Sequence, residues 1–107
     1  MNHISYNQFF ATLAGDSRLD ILQYLRANGP RNVTEIAQAT NQEQSAVSHS
    51  LKKLLACSCV NVEAQGKSRQ YSLNDETIVP ILELTSQHIQ NYCQAKCEEC
   101  SACQKLI

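Results

Sequence analysis

The chain has 107 residues, of which 43% are hydrophobic and 18% are charged, and this composition indicates one small globular domain and excludes a disordered chain. Its net charge of −1 gives no bulk electrostatic reason to expect a nucleic acid partner. No apolar run approaches the length of a membrane span, and the first ten residues lack the order of a signal peptide, so we expect a cytoplasmic protein with no membrane partner. Six cysteines in that compartment are more typical of thiols, metal ligands or redox sensors than of structural disulfides.

Two helices are predicted in the N-terminal part of the chain. The first covers residues 4–14 and is broken by Gly15. Asp16 or Ser17 can cap the second helix, and the order Asn-Gly-Pro at residues 28–30 ends it. The core face of the second helix consists of apolar residues at helical spacing, Leu19, Ile21, Leu22 and Leu25.

A tight polar corner at residues 40–42 separates two further helical patterns, and Asn41 is the residue there that best tolerates a positive φ. The first pattern has a small apolar face at Ile36 and Ala37. The second has a predicted buried face formed by Val47, Leu51, Leu54 and Leu55. Its opposite face carries only hydrogen-bonding or cationic side chains, Gln44, Ser45, Ser48, His49 and Lys52. Such a helix suits the major groove of DNA, although an ordinary solvated face would have the same pattern.

Two alternating patterns around a glycine predict a β-hairpin after this helix. Valine alternates with polar residues over 60–63, and Gly66 with Lys67 forms the turn. Lys67 and Arg69 suit contacts with phosphate, or else keep a charged hairpin tip soluble. Residues 32–33 offer a short edge bridge to this hairpin. The sequence therefore predicts a mainly α fold with a small β-wing, a winged helix-turn-helix in the order α-α-α-α-β-β-α.

These residues carry a resemblance to a known family. SAVSHSLKKL, followed by V-x-V-x-x-x-G-K-x-R-x-Y-x-L, resembles the ArsR/SmtB family of winged-helix metalloregulatory repressors. Upstream, FFATLAGDSRLDILQYL also resembles this family, so the likeness covers roughly residues 6 to 90. It implies a dimeric repressor that binds double-stranded operator DNA and releases it when a metal binds.

The sequence departs from the family pattern at several positions. Ser50 occupies a slot that is usually His, and Gln42 and Glu43 replace an apolar residue and a Ser-like cap. The usual A-G-L-V after the second helix of the motif reads Cys-Ser-Cys-Val at residues 57–60. The sequence preference of the family's DNA sites therefore cannot be transferred to this chain.

Charge is distributed unevenly along the chain. Residues 44–74 contain four Lys or Arg and one Glu, a net charge of +3. Residues 75–107 contain two Lys and five acidic residues, a net charge of −3. The basic part coincides with the proposed DNA-reading surface, which favours a nucleic acid partner despite the nearly neutral total.

The last helix is predicted to begin near Asp75, with Thr77 as its N-cap and Pro80 in its first turn, where no backbone donor is needed. One stripe of this helix contains Ile78, Ile81, Leu82, Thr85, Ile89 and Tyr92. No further element is predicted to cover the stripe, so we expect it to pack with the first helix in a homodimer. We expect residues 1–92 to form the DNA-binding and dimerisation domain and residues 93–107 to form a cysteine-rich tail.

The tail contains four closely spaced cysteines, which are typical of metal ligands: Cys93, Cys97, Cys100 and Cys103. Thiolates favour Zn, Cd, Pb, Cu(I) or As(III) over hard ions, and an iron–sulfur cluster is also compatible with them. On one continuous helix the four would share a face but spread over about 15 Å, too far for one tetrahedral ion. Either the helix breaks near Cys97, or the thiolates divide between sites or subunits.

Two further candidate ligand positions lie outside the tail. Related repressors of thiophilic metals place a cysteine ligand at the end of the recognition helix, so the resemblance makes Cys57 an additional candidate. Cys59 falls where the family has a core Leu, and burial is the favoured interpretation. Asp75 and His88 match two ligands of the family's other sensor site, but Thr77 and Asn91 replace its remaining ligands, so they are only secondary metal candidates.

The combined interpretation is a DNA-binding transcriptional repressor that releases operator DNA when a thiophilic metal or metalloid binds its cysteines. One alternative is a repressor of the same fold that senses thiol redox state, sulfide or an iron–sulfur cluster. An alternative from another class is a metal-carrying adaptor whose winged helix binds protein. No nucleophile–base pair is suggested by the sequence, so we do not expect an enzyme.

Overall fold

The computed structural model describes residues 4–93, which belong to two compact units, one ending at Asn74 and the other beginning at Asp75. The first unit contains four α-helices and an antiparallel hairpin: α1 (Tyr6–Ala14), α2 (Asp16–Asn28), α3 (Val33–Thr40), α4 (Gln44–Ala56), β1 (Val60–Gln65) and β2 (Ser68–Leu73). The second contains α5 (Ile78–His88) and a π-helical segment (Ile89–Cys93). This order confirms the predicted winged helix-turn-helix.

The first two helices begin differently from the prediction. Ser5 caps α1 through a capping box with Gln8, so the helix starts at Tyr6 and not at residue 4. The prediction that Asp16 or Ser17 caps α2 is wrong, because Gly15 is the N-cap and makes no side-chain bond. Asp16 is instead the first helical residue, where its carboxylate complements the positive end of the helix dipole.

Arg18 of α2 donates hydrogen bonds to carbonyl groups at the C-terminal end of α1. Its Nε donates to the carbonyl oxygen of Thr12 at 2.7 Å, and its Nη2 donates to that of Ala11 at 3.2 Å. The last carbonyl groups of a helix have no partner within the helix, so these bonds satisfy two of them from outside. The guanidinium therefore ties α1 to α2.

The core of the first unit lies between α2, α3, α4 and the base of the hairpin. Its largest fully buried side chains are Ile21, Leu22, Ile36, Val47, Leu51, Leu54, Cys59 and Val60. The apolar stripes predicted for α2 and α4 are confirmed in the main, although Leu19 and Leu55 are only half-buried.

The hairpin pairs Val60 with Leu73 at its base and Gln65 with Ser68 at its tip. Gly66 has a φ of 61°, as the predicted turn requires. The predicted alternation fails on β1, because Val62 is 42% exposed and only Val60 is buried there.

A single β-bridge ties this hairpin to the loop before α3. Arg31 and Tyr71 exchange two backbone hydrogen bonds, of 3.0 and 2.8 Å. The bridge predicted at residues 32–33 is therefore one residue too late. Asn32 is needed elsewhere, because its side chain caps α3 in a capping box with Glu35.

In the second unit, Pro80 is the third residue of α5, and the Ile81 amide donates to the Thr77 carbonyl at 3.0 Å. Pro80 thus lies where no backbone donor is needed, as predicted. Two residues of the stripe that was expected to pack in a homodimer are buried in the single chain, since Ile78 is 1% exposed and Leu82 is 7% exposed. None of the described helices is long and apolar enough to cross a membrane.

Candidate nucleic-acid interface and thiol sites

The turn between α3 and α4 fixes how the second helix of the motif is presented. Asn41 adopts the left-handed conformation, with φ 56° and ψ 45°. The Gln42 amide donates to the Ala37 carbonyl at 3.0 Å, and the Asn41 amide donates to that of Gln38 at 3.4 Å. This pair of bonds is a Schellman motif, which ends α3 and redirects the chain. The corner predicted at Asn41 is confirmed.

The α4 helix separates a buried apolar side from an exposed polar one. Val47, Leu51 and Leu54 are at most 1% exposed. All five polar residues named from the sequence are exposed, Gln44, Ser45, Ser48, His49 and Lys52. The structure therefore brings together on one helix the donors and acceptors that base edges in a major groove require.

Two polar side chains fix α4 against its neighbours. Ser50 is 5% exposed, and its Oγ lies 3.5 Å from that of Ser17 on α2. Gln44 donates from Nε2 to Thr34 Oγ1 at 3.3 Å, which joins the start of α4 to α3. The burial of Ser50 was not predicted from the sequence, although its position three residues after Val47 places it on the buried face.

The turn carries one buried amide. Gln42 donates from Nε2 to the backbone oxygen of Ser17 at 3.3 Å. Its Oε1 is buried and has no hydrogen-bond partner among the described residues. Gln42, which departs from the apolar residue that the family resemblance leads one to expect, thus forms a polar contact between the helix-turn-helix corner and α2.

The tip of the hairpin presents exposed cations beside α3. Lys67, Ser68 and Arg69 are exposed. A groove of about 330 Å³ runs between the tip and the start of α3, and its lining residues are Asn32, Val33, Thr34, Lys67, Ser68, Arg69 and Tyr71. Cations and short hydroxyl groups in such a groove suit the phosphate backbone of a duplex and carry no base preference.

The end of α4 has an unusual backbone conformation. The Ser58 amide donates to the Leu55 carbonyl at 3.0 Å, and the Cys59 amide donates to that of Leu54 at 2.9 Å, which forms a second Schellman motif. Ser58 has a φ of 57°, in the region that favours glycine. A side chain in that conformation costs about 1–3 kcal/mol unless its surroundings compensate.

The two cysteines that flank Ser58 lie in different environments. Cys57 is half-buried, and its Sγ donates to Thr12 Oγ1 of α1 at 3.8 Å. Cys59 is fully buried, as the sequence predicted, with its Sγ 3.9 Å from the Cys57 carbonyl oxygen. Burial and, to a smaller extent, the nearby Cys57 thiol raise the pKa of Cys59 to about 11. Cys59 is therefore a poor source of thiolate.

Asn74 binds the same loop from the end of β2. Its backbone amide donates to the Cys59 carbonyl at 3.0 Å, and its side-chain Nδ2 donates to the Ser58 carbonyl at 2.9 Å. No sequence signal pointed to Asn74, because these bonds depend on how the hairpin returns to the end of α4.

The remaining sequence-predicted ligands are only partly described. Cys93 ends the π-helical segment and is half-buried, whereas Cys97, Cys100 and Cys103 lie outside the described residues. Asp75 and His88 are both exposed, and the His88 ring stacks on Tyr92 with ring centroids 5.4 Å apart. Residues 4–93 contain no group of three or more His, Cys, Asp or Glu that could hold a metal ion.

The fold and this polar face define a winged helix-turn-helix regulator. A profile of the family described as "Bacterial regulatory protein, arsR family" matches residues 15–62. The chain is 34% identical to the "Arsenical resistance operon repressor" of Bacillus subtilis over 72% of its own length and 73% of that protein. The chain belongs to the ArsR family.

Other relatives agree with this assignment. The chain is 43% identical to the "HTH-type transcriptional regulator NmtR" of Mycobacterium tuberculosis over 74% of its own length, a match that spans 65% of that relative. The solution structure of the homodimeric winged helix-turn-helix DNA-binding domain of Mb0332 from Mycobacterium bovis is similar, with a TM-score of 0.70 and 25% identity. That likeness covers 86% of this chain and 93% of the other.

Proposed function

We propose that the protein is a transcriptional repressor that binds operator DNA through α4 and the hairpin. The observation that carries this proposal is that one unit exposes both the polar face of α4 and a cationic hairpin tip, on a buried apolar core. Gln44, Ser45, Ser48 and His49 would read base edges, and Lys52, Lys67 and Arg69 would bind phosphates. This assignment explains why a nearly neutral chain concentrates its basic charge in residues 44–74.

The proposed repressor acts as a homodimer in the cytoplasm. Large apolar side chains are exposed on both terminal segments of the described chain, Ile4, Tyr6, Phe10, Leu84 and Tyr92. Exposed apolar groups of this size are typical of protein interfaces. The similar Mycobacterium bovis domain is described as homodimeric. Two copies would place two recognition helices on the half-sites of one operator.

The proposed inducer is a thiophilic metal or metalloid, with Zn, Cd, Pb and As(III) as candidates. Cys93, Cys97, Cys100 and Cys103 would supply the ligands and Cys57 an additional one, because closely spaced thiolates suit soft ions. Asp75 and His88 are secondary candidates. The name of the Bacillus subtilis relative, a repressor of arsenical resistance, supports a soft inducer. Ligand binding that favours the DNA-free arrangement by about 1–3 kcal/mol would lower operator occupancy 5- to 150-fold.

The test uses a duplex obtained by selecting tight binders to the purified protein from random DNA. Operator-bound protein is titrated under anaerobic conditions with Cd(II), Zn(II) and As(III), and release is followed by fluorescence anisotropy. We expect the wild type to release DNA when metal is added. A variant with serine at residues 93, 97, 100 and 103 should bind DNA equally well without metal but should stay bound to it when metal is added. Cys59→Ala is the matched control, because it removes a thiol from the core and leaves the proposed ligands in place.

Other outcomes identify the alternatives. Release of the wild type by a thiol oxidant or sulfide, without any metal, would indicate a redox sensor. An absorption band from iron–sulfur charge transfer in protein purified anaerobically would indicate a cluster. Equal release of the wild type and the four-serine variant would exclude the tail as the sensor. Binding to no duplex at all would favour the protein-interaction adaptor.

A further inference from the structure

The loop between the recognition helix and the hairpin combines three features that the proposed function does not explain. Ser58 is held in a left-handed conformation, it lies between two cysteines, and Asn74 binds its carbonyl oxygen at 2.9 Å. Glycine would adopt this conformation without strain. Strained backbone in a non-glycine residue persists where surrounding contacts hold it, and it is common in switch regions.

Asn74 supplies the contacts that hold this loop from the side of the hairpin. Its backbone and side chain bind the carbonyl groups of Cys59 and Ser58 respectively, whereas the amides of both residues are bound by the end of α4. The loop is thus hydrogen-bonded on one side to the recognition helix and on the other to the last residue of the first unit. Without the bonds from Asn74, the described hydrogen bonds of the Ser58 and Cys59 backbone would be those to the end of α4.

Asn74 is also covalently joined to the segment that carries the proposed inducer site. Asp75 begins the second unit, and this unit leads to Cys93. Because residues 74 and 75 share a peptide group, a rotation of that group would alter the two bonds that Asn74 makes. The recognition helix ends two residues before Ser58, so the change would reach the DNA-reading element directly.

We propose that Asn74 is a positioning residue that transmits the inducer state from the second unit to α4, by holding or releasing the strained Ser58. This inference rests on the proposed function, since it concerns the regulation of the same DNA-binding surface. With its bonds to residues 58 and 59 intact, Asn74 holds α4 in the arrangement that binds operator. Inducer binding in the second unit weakens these bonds and allows the end of α4 to shift.

The test compares the ratio of operator Kd with and without Cd(II) in the wild type and three full-length variants. In the wild type we expect the ratio to lie between about 5 and 150. Asn74→Ala removes a bond that holds the operator-binding arrangement, so it should raise the metal-free Kd toward the Cd(II)-bound value and reduce the ratio to less than about a third of the wild-type value. Asn61→Ala is the matched control, because Asn61 lies in the adjoining hairpin and its side chain donates one long bond of 3.5 Å to the Leu73 carbonyl. Its ratio should equal that of the wild type.

The third variant, Asn74→Ala with Ser58→Gly, controls for misfolding of Asn74→Ala. Glycine adopts the left-handed conformation at position 58 without strain, so the bonds from Asn74 are not needed to hold it. It should also show a reduced ratio. Hydrogen exchange gives an independent measure, and the Asn74 amide of the wild type should exchange faster with Cd(II) bound. A wild-type ratio retained in both Asn74→Ala variants, or unchanged exchange at Asn74, would overturn the inference alone. A wild-type ratio of one with Cd(II), Zn(II) and As(III) would overturn the proposed function as well.

Discussion

The proposed reading helix α4 and the last helix α5 both carry an apolar stripe, but they bury it to different extents. Val47, Leu51 and Leu54 of α4 are almost inaccessible, and its remaining surface is largely polar. In the second unit Leu82 is buried, whereas Ile81 and Ile89 of the same stripe are only half-buried and Tyr92 is more than 60% exposed. Helical spacing of apolar residues thus predicts that a face will be covered, and it does not identify what covers it. A polar outer face suits DNA, and an apolar one suits a protein partner.

The largest effect, on the free energy of unfolding and on dimerisation, is expected from placing a carboxylate at each of two positions of α5. Leu82→Asp should cost several kcal/mol of unfolding free energy, because an unpaired carboxylate would replace a side chain that is 7% exposed. Leu84→Asp should leave the fold intact, because residue 84 is 64% exposed, and should instead dissociate the proposed dimer. Urea denaturation and sedimentation velocity at micromolar concentration measure the two effects.

Two results would contradict the predictions about the dimer independently of each other. A wild-type monomer at micromolar concentration would refute the dimer. A Leu84→Asp variant that sediments like a dimeric wild type would show that the exposed end of α5 lies outside the interface.

A smaller effect, on operator affinity, is expected from substitutions on the polar side of α4. Ser48→Ala with His49→Ala should weaken operator binding by about 1–3 kcal/mol for each base that the variant no longer reads. Binding to unrelated duplexes should change little, because the cations proposed to bind phosphates remain. The measurement is the ratio of Kd values for the selected duplex and a scrambled one of equal length, at one salt concentration.

The matched control for this experiment is Lys67→Ala with Arg69→Ala at the hairpin tip. It should weaken binding to both duplexes and reduce the slope of log K against log salt by about 0.9 for each phosphate that is no longer neutralised. Equal operator affinity of the wild type and the Ser48/His49 variant would contradict the assignment of α4 as the reading helix.

The last prediction concerns an effect of Cys59 on stability that is negligible at neutral pH. Burial raises the pKa of Cys59 from 9.0 to about 11, so the effect is confined to alkaline pH. Below pH 9 the thiol is protonated in the folded and unfolded chains alike. Between pH 9 and 11 the unfolded chain loses this proton first, so the free energy of unfolding should fall as pH rises, by at most about 1.4 kcal/mol per pH unit. Thermal unfolding of the wild type and Cys59→Ala across this range measures the difference, and parallel pH profiles would contradict it.

Features set by neighbouring residues were predictable from the sequence. The left-handed turn at Asn41, the hairpin turn at Gly66 and the place of Pro80 in the first turn of α5 all follow from the backbone preferences of single residues. The two faces of α4 follow from helical spacing.

Features that depend on contacts between distant elements were missed or misplaced. The bridge at Arg31 depends on the register of the hairpin against another loop, and the bonds of Asn74 depend on where β2 ends. Val62 fits an alternating pattern, but the described residues leave it 42% exposed. The spacing of residues along the sequence predicts the type of a secondary-structure element, and it does not predict which other elements that element contacts.

The guanidinium of Arg18 limits what the chain tolerates at the junction of its first two helices. A β-carbon at Gly15 would overlap this group, so any other residue there would have to displace it. Displacement would break the two bonds that hold the last carbonyl groups of α1. That helix presents Tyr6 and Phe10 to solvent. Mutational scanning of position 15 should therefore find losses that look like defects in assembly, although each substitution acts through Arg18 and α1.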